Sequence, residues 1–210
     1  MEFYSPIVSG TERISGLQEE LRCIFQQRPI IAAVRSPEDL SNVIASEARA
    51  IALMGGHILQ LAEIVAQLHE QHYIVLLHPE LIHGIGRDIA GIDYLAEIVK
   101  PDGIVSTKKT LLQRAKEHNL LTVFQFFAID TQAVLTGLEN AKNIKPDFIE
   151  VMPGLIPELI TWVQCSSDIS VIAAGLIRNP ESVDLVLKAG ACAATTSRSE
   201  LWNYCQKSDK

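Results

Sequence analysis

Two short stretches near the C-terminus carry residue types that suit an anion. Ala174-Gly175-Leu176 ends one apolar run, and Thr195-Thr196-Ser197 ends the next. A glycine lets the backbone approach a ligand closely. Small hydroxyl residues and free N–H groups at the start of a helix favour negative charge. Arg35 and Lys108 follow two other apolar runs. A guanidinium holds phosphate or carboxylate in a fork, whereas an ammonium acts as a point charge. Glu150 stands inside the apolar segment Phe148–Met152. A carboxylate there is costly without a partner. It pairs either with a ligand hydroxyl or rim cation, or with a purely structural partner. Gln125, within Val123-Phe124-Gln125-Phe126-Phe127, poses the same question without charge.

Other chemistries find less support. None of the six histidines falls in a metal-binding spacing, His78 and His83 included. No Ser-His-Asp order, nucleophile elbow or HExxH motif is present. A Schiff-base role for Lys108 lacks a supporting polar network. The expectation is therefore a binding site with no catalytic residue, no metal and no cofactor.

These residues need a frame that gathers them. Short apolar runs occur at Pro29–Val34, His57–Leu61, Tyr73–Leu77, Gly103–Ser106, Leu121–Phe127, Phe148–Met152, Ser170–Ala174 and Cys192–Thr195. Unbroken runs of this length suit parallel strands buried on both faces. Helical spacing fills the gaps between them. Leu40, Val43, Ile44, Ala48 and Ile51 form one such pattern, opened by Ser36-Pro37-Glu38-Asp39 as cap, first-turn proline and early acids. Eight such units predict a TIM-like α/β fold, a (β/α)8 barrel, with an open doubly wound sheet as the alternative. An amphipathic segment, Thr11–Gln27, precedes the first strand and is expected across the barrel bottom. Lys100-Pro101-Asp102 and Lys145-Pro146-Asp147 echo each other two units apart. We read residues 1–210 as a single domain, with 1–28 an N-terminal helical segment and 29–205 the barrel. In a barrel, functional residues gather at the C-terminal strand ends. That directs attention to Arg35, Glu63, His78, Lys108, Glu150, Gly175 and Thr196 to Ser199.

Composition sets limits. The 210 residues carry 18 Lys and Arg against 25 Asp and Glu, a net charge of −7, which excludes a broad basic footprint for nucleic acid but not a local patch. The four cysteines lack C-x-x-C spacing and read as free thiols. No signal peptide and no membrane span is expected, which points to the cytoplasm.

Several segments in order resemble the glycerol-3-phosphate-responsive antiterminators, the glycerol uptake operon antiterminator proteins. They are IIAAVRSPEDL (Ile30–Leu40), HPELIHGIGRD (His78–Asp88), PDGIVSTKKTLLQRAKEHNL (Pro101–Leu120), PDFIEVMPGLIPELI (Pro146–Ile160), VIAAGLIRNPE (Val171–Glu181) and ATTSRSELW (Ala194–Trp202). The resemblance implies a barrel-shaped regulator. Its effector would be glycerol 3-phosphate and its partner the leader mRNA of glycerol genes, with homodimer formation conceivable. By position, phosphate would lie against Gly175, Leu176, Thr196 and Ser197, with Arg35, Lys108 and Glu150 lining the rest. The chain departs from the family pattern at Ala174, where glycine is usual, and at Gln125, where a basic residue is common. RNA contact would need a local basic patch drawn from Lys108, Lys109, Arg114, Lys116, Arg178 and Arg198. Two other functions fit the same residues. One is a sugar-phosphate isomerase or aldolase using Lys108 or Glu150 as acid or base. The other is a metabolite sensor without RNA binding.

Overall fold

A computed structural model describes residues 10–206. Residues 1–9 and 207–210, part of the domain boundaries expected above, lie outside the described residues. Helix α1 spans Gly10–Gln27. Seven βα units and an eighth strand follow. The strands are β1 Ile30–Val34, β2 Ala50–Leu53, β3 Ile74–Leu77, β4 Gly103–Ser106, β5 Leu121–Phe127, β6 Phe148–Met152, β7 Ser170–Ala174 and β8 Ala193–Thr196. The helices are α2 Pro37–Ile44, α3 Ile58–Glu70, α4 Ile89–Tyr94, α5 Lys109–Glu117, α6 Thr131–Ile144, α7 Pro157–Cys165 and α8 Pro180–Lys188. All neighbouring strands pair in parallel, and β8 returns to β1, closing the barrel.

Successive side chains of a strand point to opposite sides. In β5, Phe124 and Phe126 pack outward with the helices, while Leu121 and Val123 join an inner cluster. That inner cluster also holds Ile31, Ile74, Leu76, Phe148, Ile172 and Ala193, together with Leu21 and Phe25 of α1. Helix α1 thus plugs the lower mouth, as its pattern predicts. Phe25 meets Phe148 edge to face, with ring centroids 6.4 Å apart. Polar ties fix the plug. Arg13 reaches Asp102 at 3.7 Å, and the Gln18 amide donates to Asp147.

The Lys-Pro-Asp echo is structural. Lys100 and Lys145 each end a helix in the left-handed region, with φ of 56° and 51°. Each aspartate then accepts from the backbone of an earlier strand. Asp102 takes the Val75 N–H at 2.8 Å, and Asp147 takes the Thr122 N–H at 2.7 Å.

Two expectations need correction. The second strand is not His57–Leu61 but Ala50–Leu53, and His57 instead caps α3, its ring Nδ1 accepting from the Leu59 N–H at 3.3 Å. Ala50 and Ile51 continue the helical spacing of α2, so the sequence pattern absorbed a strand into a helix. What separates the two elements is burial: all four residues of β2 are inside. Gly55 then allows a close pass, since a Cβ there would lie 2.1 Å from the Arg35 carbonyl oxygen. Glu63 therefore sits exposed on α3 rather than at the barrel rim. The closing helix after β8 is also no more than a three-residue 3-10 turn, Ser199–Leu201. Its helix dipole is correspondingly short.

The plug sets the first test. Leu21 is 1% exposed, whereas Leu59 on α3 is 87% exposed. Leu21→Ala should lower unfolding free energy in urea by about 2–5 kcal/mol, and Leu59→Ala by under about 0.5 kcal/mol.

Candidate functional site

The loops after β7 and β8 meet because their strands pair, with Ala174 opposite Thr195. Closure onto β1 sets Ala32 opposite Thr196 and brings Arg35 to the same rim. The three strand ends enclose a cavity of about 420 Å³ lined by Arg35, Gly175, Leu176, Ile177, Arg178, Thr195, Thr196, Ser197 and Arg198. Gly175 and Leu176 both have positive φ, 80° and 65°. A non-glycine residue held there is strained, and such residues concentrate at binding sites. At Gly175 a Cβ would lie 2.9 Å from the Met152 Cε, so the methionine tip would have to move aside.

Hydrogen bonds lock the two loops together. The Thr196 hydroxyl donates to the Ile177 carbonyl at 2.9 Å and accepts the Arg198 N–H at 3.2 Å. The Trp202 indole donates to the Thr196 carbonyl at 2.9 Å. Three exposed guanidiniums, those of Arg35, Arg178 and Arg198, surround this frame in a chain whose net charge is −7. Ala174 is buried in the sheet and its methyl group forms no part of the cavity wall.

Glu150 lies one layer down. It shares the inward face of β6 with Phe148 and is 4% exposed. Thr195 donates to its Oε1 at 2.7 Å, and the Gln125 amide donates to its Oε2 at 2.5 Å. The Gln125 Oε1 in turn faces His78 Nε2 at 3.4 Å. His78 Nδ1 lies 3.0 Å from Glu80, at an angle too poor for a hydrogen bond, and Ser106 donates to the same carboxylate. A polar chain therefore crosses the barrel from Ser106 through Glu80, His78, Gln125 and Glu150 to Thr195, above the apolar layers.

Both nitrogens of His78 face acceptor oxygens, which suits the imidazolium. Burial opposes that charge, but Glu80, Gln125 and Glu150 outweigh it and hold the His78 pKa above 6.5. Burial likewise works against ionised Glu80, yet the contacts with His78 and Ser106 keep its carboxyl below the usual range. Glu150 behaves oppositely: burial pushes its pKa up, and Thr195, Gln125 and His78 offset this only in part.

The remaining sequence candidates separate. Lys108 does not join the cavity, because β4 stands opposite β8 in the barrel; its ammonium donates to the Arg87 carbonyl at 3.2 Å. Glu150 does not line the cavity wall directly, and reaches it only through Thr195. Lys109 is exposed at the start of α5, on that same far side. Arg114 is engaged by Asp93 at 2.5 Å and Glu117 at 2.6 Å. Lys116 donates to the Ile144 carbonyl at 2.9 Å and to that of Lys145. The basic candidates thus form no single patch; Arg178 and Arg198 belong to the cavity instead. Sequence reasoning missed Glu80 and Ser106, and placed His78 on the rim without a partner. The available signal was an acid two residues after a histidine at a strand end.

The His78–Glu80 pair makes stability depend on pH. A raised histidine pKa gives stability that is complete below about 6.5 and lost as pH rises through the raised value. The lowered Glu80 value makes its share vanish only on the acid side, as pH falls below 4.5 through the lowered value. The urea midpoint should accordingly fall as pH rises above 6.5, and fall less steeply in His78→Gln. Equal slopes in the two proteins would contradict the assignment.

Comparison with known proteins matches this frame. The E. coli K12 protein YgcP, itself uncharacterised, is 27% identical over 184 residues, covering 88% of this chain and 96% of that protein. The crystal structure of the glycerol uptake operon antiterminator regulatory protein of Listeria monocytogenes superposes with a TM-score of 0.80 at 34% identity, over 83% of this chain and 95% of that one. A glycerol uptake operon antiterminator-related protein of Thermotoga maritima gives a TM-score of 0.75 at 27% identity, over 85% and 99%. The family model for the glycerol-3-phosphate responsive antiterminators matches residues 30–202, which spans the whole barrel from β1 to Trp202, and the chain belongs to that family.

Proposed function

We propose that the protein is a cytoplasmic, effector-gated regulator that binds glycerol 3-phosphate and then leader mRNA of glycerol uptake genes. One observation carries the reading. A strained backbone turn at Gly175-Leu176, the Thr196-Ser197 loop and three arginines converge on one cavity of about 420 Å³. That is the place where barrels of this architecture hold phosphate. The guanidiniums supply charge and paired donors, and the loops supply N–H groups. The effector would be a ligand rather than a cofactor, and its binding would shift the population towards an RNA-competent shape or a homodimer. Among the described residues, no helix is long and apolar enough to cross a membrane.

RNA recognition draws support from the family, whose members are described as antiterminators. With a net charge of −7, contact must be local. Arg178 and Arg198 at the cavity mouth are the cations best placed to couple it to the effector.

Glycerol 3-phosphate at a hundred times its Kd should stabilise the protein by about 2.7 kcal/mol, a rise in Tm of about 5–10 °C for a chain of this size. Glycerol alone should give far less. Arg178→Ala removes a charge-assisted contact worth about 1.5–3 kcal/mol and should weaken binding about 10- to 100-fold. Filter binding with the glycerol-operon leader should show retention that requires glycerol 3-phosphate. Retention unaffected by the effector would remove the gating, and no retention at all would leave a metabolite sensor.

A further inference from the structure

Thr195 poses a problem for an anion site. It lines the cavity, yet its single hydroxyl proton is given to Glu150 Oε1 at 2.7 Å. Towards the cavity the oxygen then offers only lone pairs. A phosphate dianion offers only lone pairs too, so the two oxygens repel. Behind Thr195 stands a buried carboxylate, a second negative charge with little water to screen it.

We propose that Glu150 takes up one proton from solvent as a dianionic ligand enters, and that this turns the Thr195 hydroxyl from an acceptor into a donor at the cavity floor. The inference rests on the reading of the cavity as an effector site. The step is a protonation alone. Ionised Glu150 gains a proton on Oε1, the new O–H donates to Thr195 Oγ1, and the Thr195 proton rotates towards a ligand oxygen. No other bond forms or breaks, and the site gains one positive charge as it receives the anion.

The structure selects the oxygen that is protonated. Gln125 donates to Oε2 at 2.5 Å, so that atom is already held as an acceptor. The amide cannot turn over without cost, because its Oε1 faces His78 Nε2 and His78 is backed by Glu80. Oε1 is the oxygen left to take the proton, and it is the one on Thr195. His78 is thus a positioning residue that acts through Gln125. It is also the titratable group facing Glu150, with Glu80 behind it; β5 and β8 contribute the uncharged Gln125 and Thr195. Burial already pushes the Glu150 carboxyl up, the direction that proton uptake requires.

Calorimetric titration with glycerol 3-phosphate at pH 8 tests this, run in two buffers of different ionisation enthalpy. A phosphoester with a second pKa of about 6 is already a dianion there, so the ligand itself contributes little. The unmodified protein should take up close to one proton per ligand bound. Glu150→Gln, a permanently neutral side chain that can donate to Thr195, should take up none. It should bind at least as tightly as the parent at pH 8, with affinity flat above about pH 7, where the ligand is already a dianion. Weaker binding by that variant would mean that the carboxylate itself receives the ligand, and would overturn the proposal. So would heat independent of buffer in the unmodified protein, a measurement that decides the matter even if the variant does not fold. Binding without uptake leaves the cavity intact as an effector site, whereas no binding by the unmodified protein removes that reading and this inference together.

Discussion

Closure of the sheet between β8 and β1 is the constraint from which the site follows. Until that seam forms, Arg35 and the arginines of the last two units belong to distant parts of the chain. The register of Ala32 against Thr196, with Ala174 against Thr195 on the other side, fixes them around one cavity. Cations that would otherwise stay apart are held around one cavity, against their mutual repulsion, by backbone hydrogen bonds made elsewhere. A ligand carrying negative charge would relieve that repulsion, so the proposed anion site is compatible with a net charge of −7.

The same closure creates an interior with little water, and the strand period decides what occupies it. Below, apolar residues and α1 fill the space. Above, the identical faces of β3, β5, β6 and β8 present His78, Gln125, Glu150 and Thr195. Buried polar groups are tolerated there because each carboxylate oxygen or ring nitrogen faces a polar partner. Glu80 lies against the His78 ring and favours its charged form, and Gln125 carries the polarity on to Glu150. The layer links the rim near Ser106 to the cavity floor at Thr195, two places on opposite sides of the barrel.

Much of this was legible in the residues. Seven of the eight strands follow from mostly apolar runs, since burial on both faces leaves little alternation to misread. Gly175 and Ser197 were readable as partners because a barrel places consecutive strand ends side by side. The second strand was not, for Ala50 and Ile51 satisfy a helical period as well as a strand run and only tertiary burial separates the two. Lys108 was misplaced for a related reason. Proximity to a strand end says which face a residue occupies, but not which side of the barrel. Arg178 and Arg198 read as parts of an RNA patch rather than of a pocket, because sequence separation hides the cavity between them. The role of Glu80 depends on His78, Ser106 and the barrel interior at once, and pairing across strands leaves no periodic trace.

The central claim is that dianion binding occurs between the seventh and eighth strand ends. A crystal structure of the protein with glycerol 3-phosphate tests it most directly. The account predicts phosphorus density against the backbone of Gly175 and Leu176 and the Thr196-Ser197 loop, with Arg178 or Arg35 turned onto its oxygens. Density for the phosphate at any other surface, with this cavity unchanged, would contradict it.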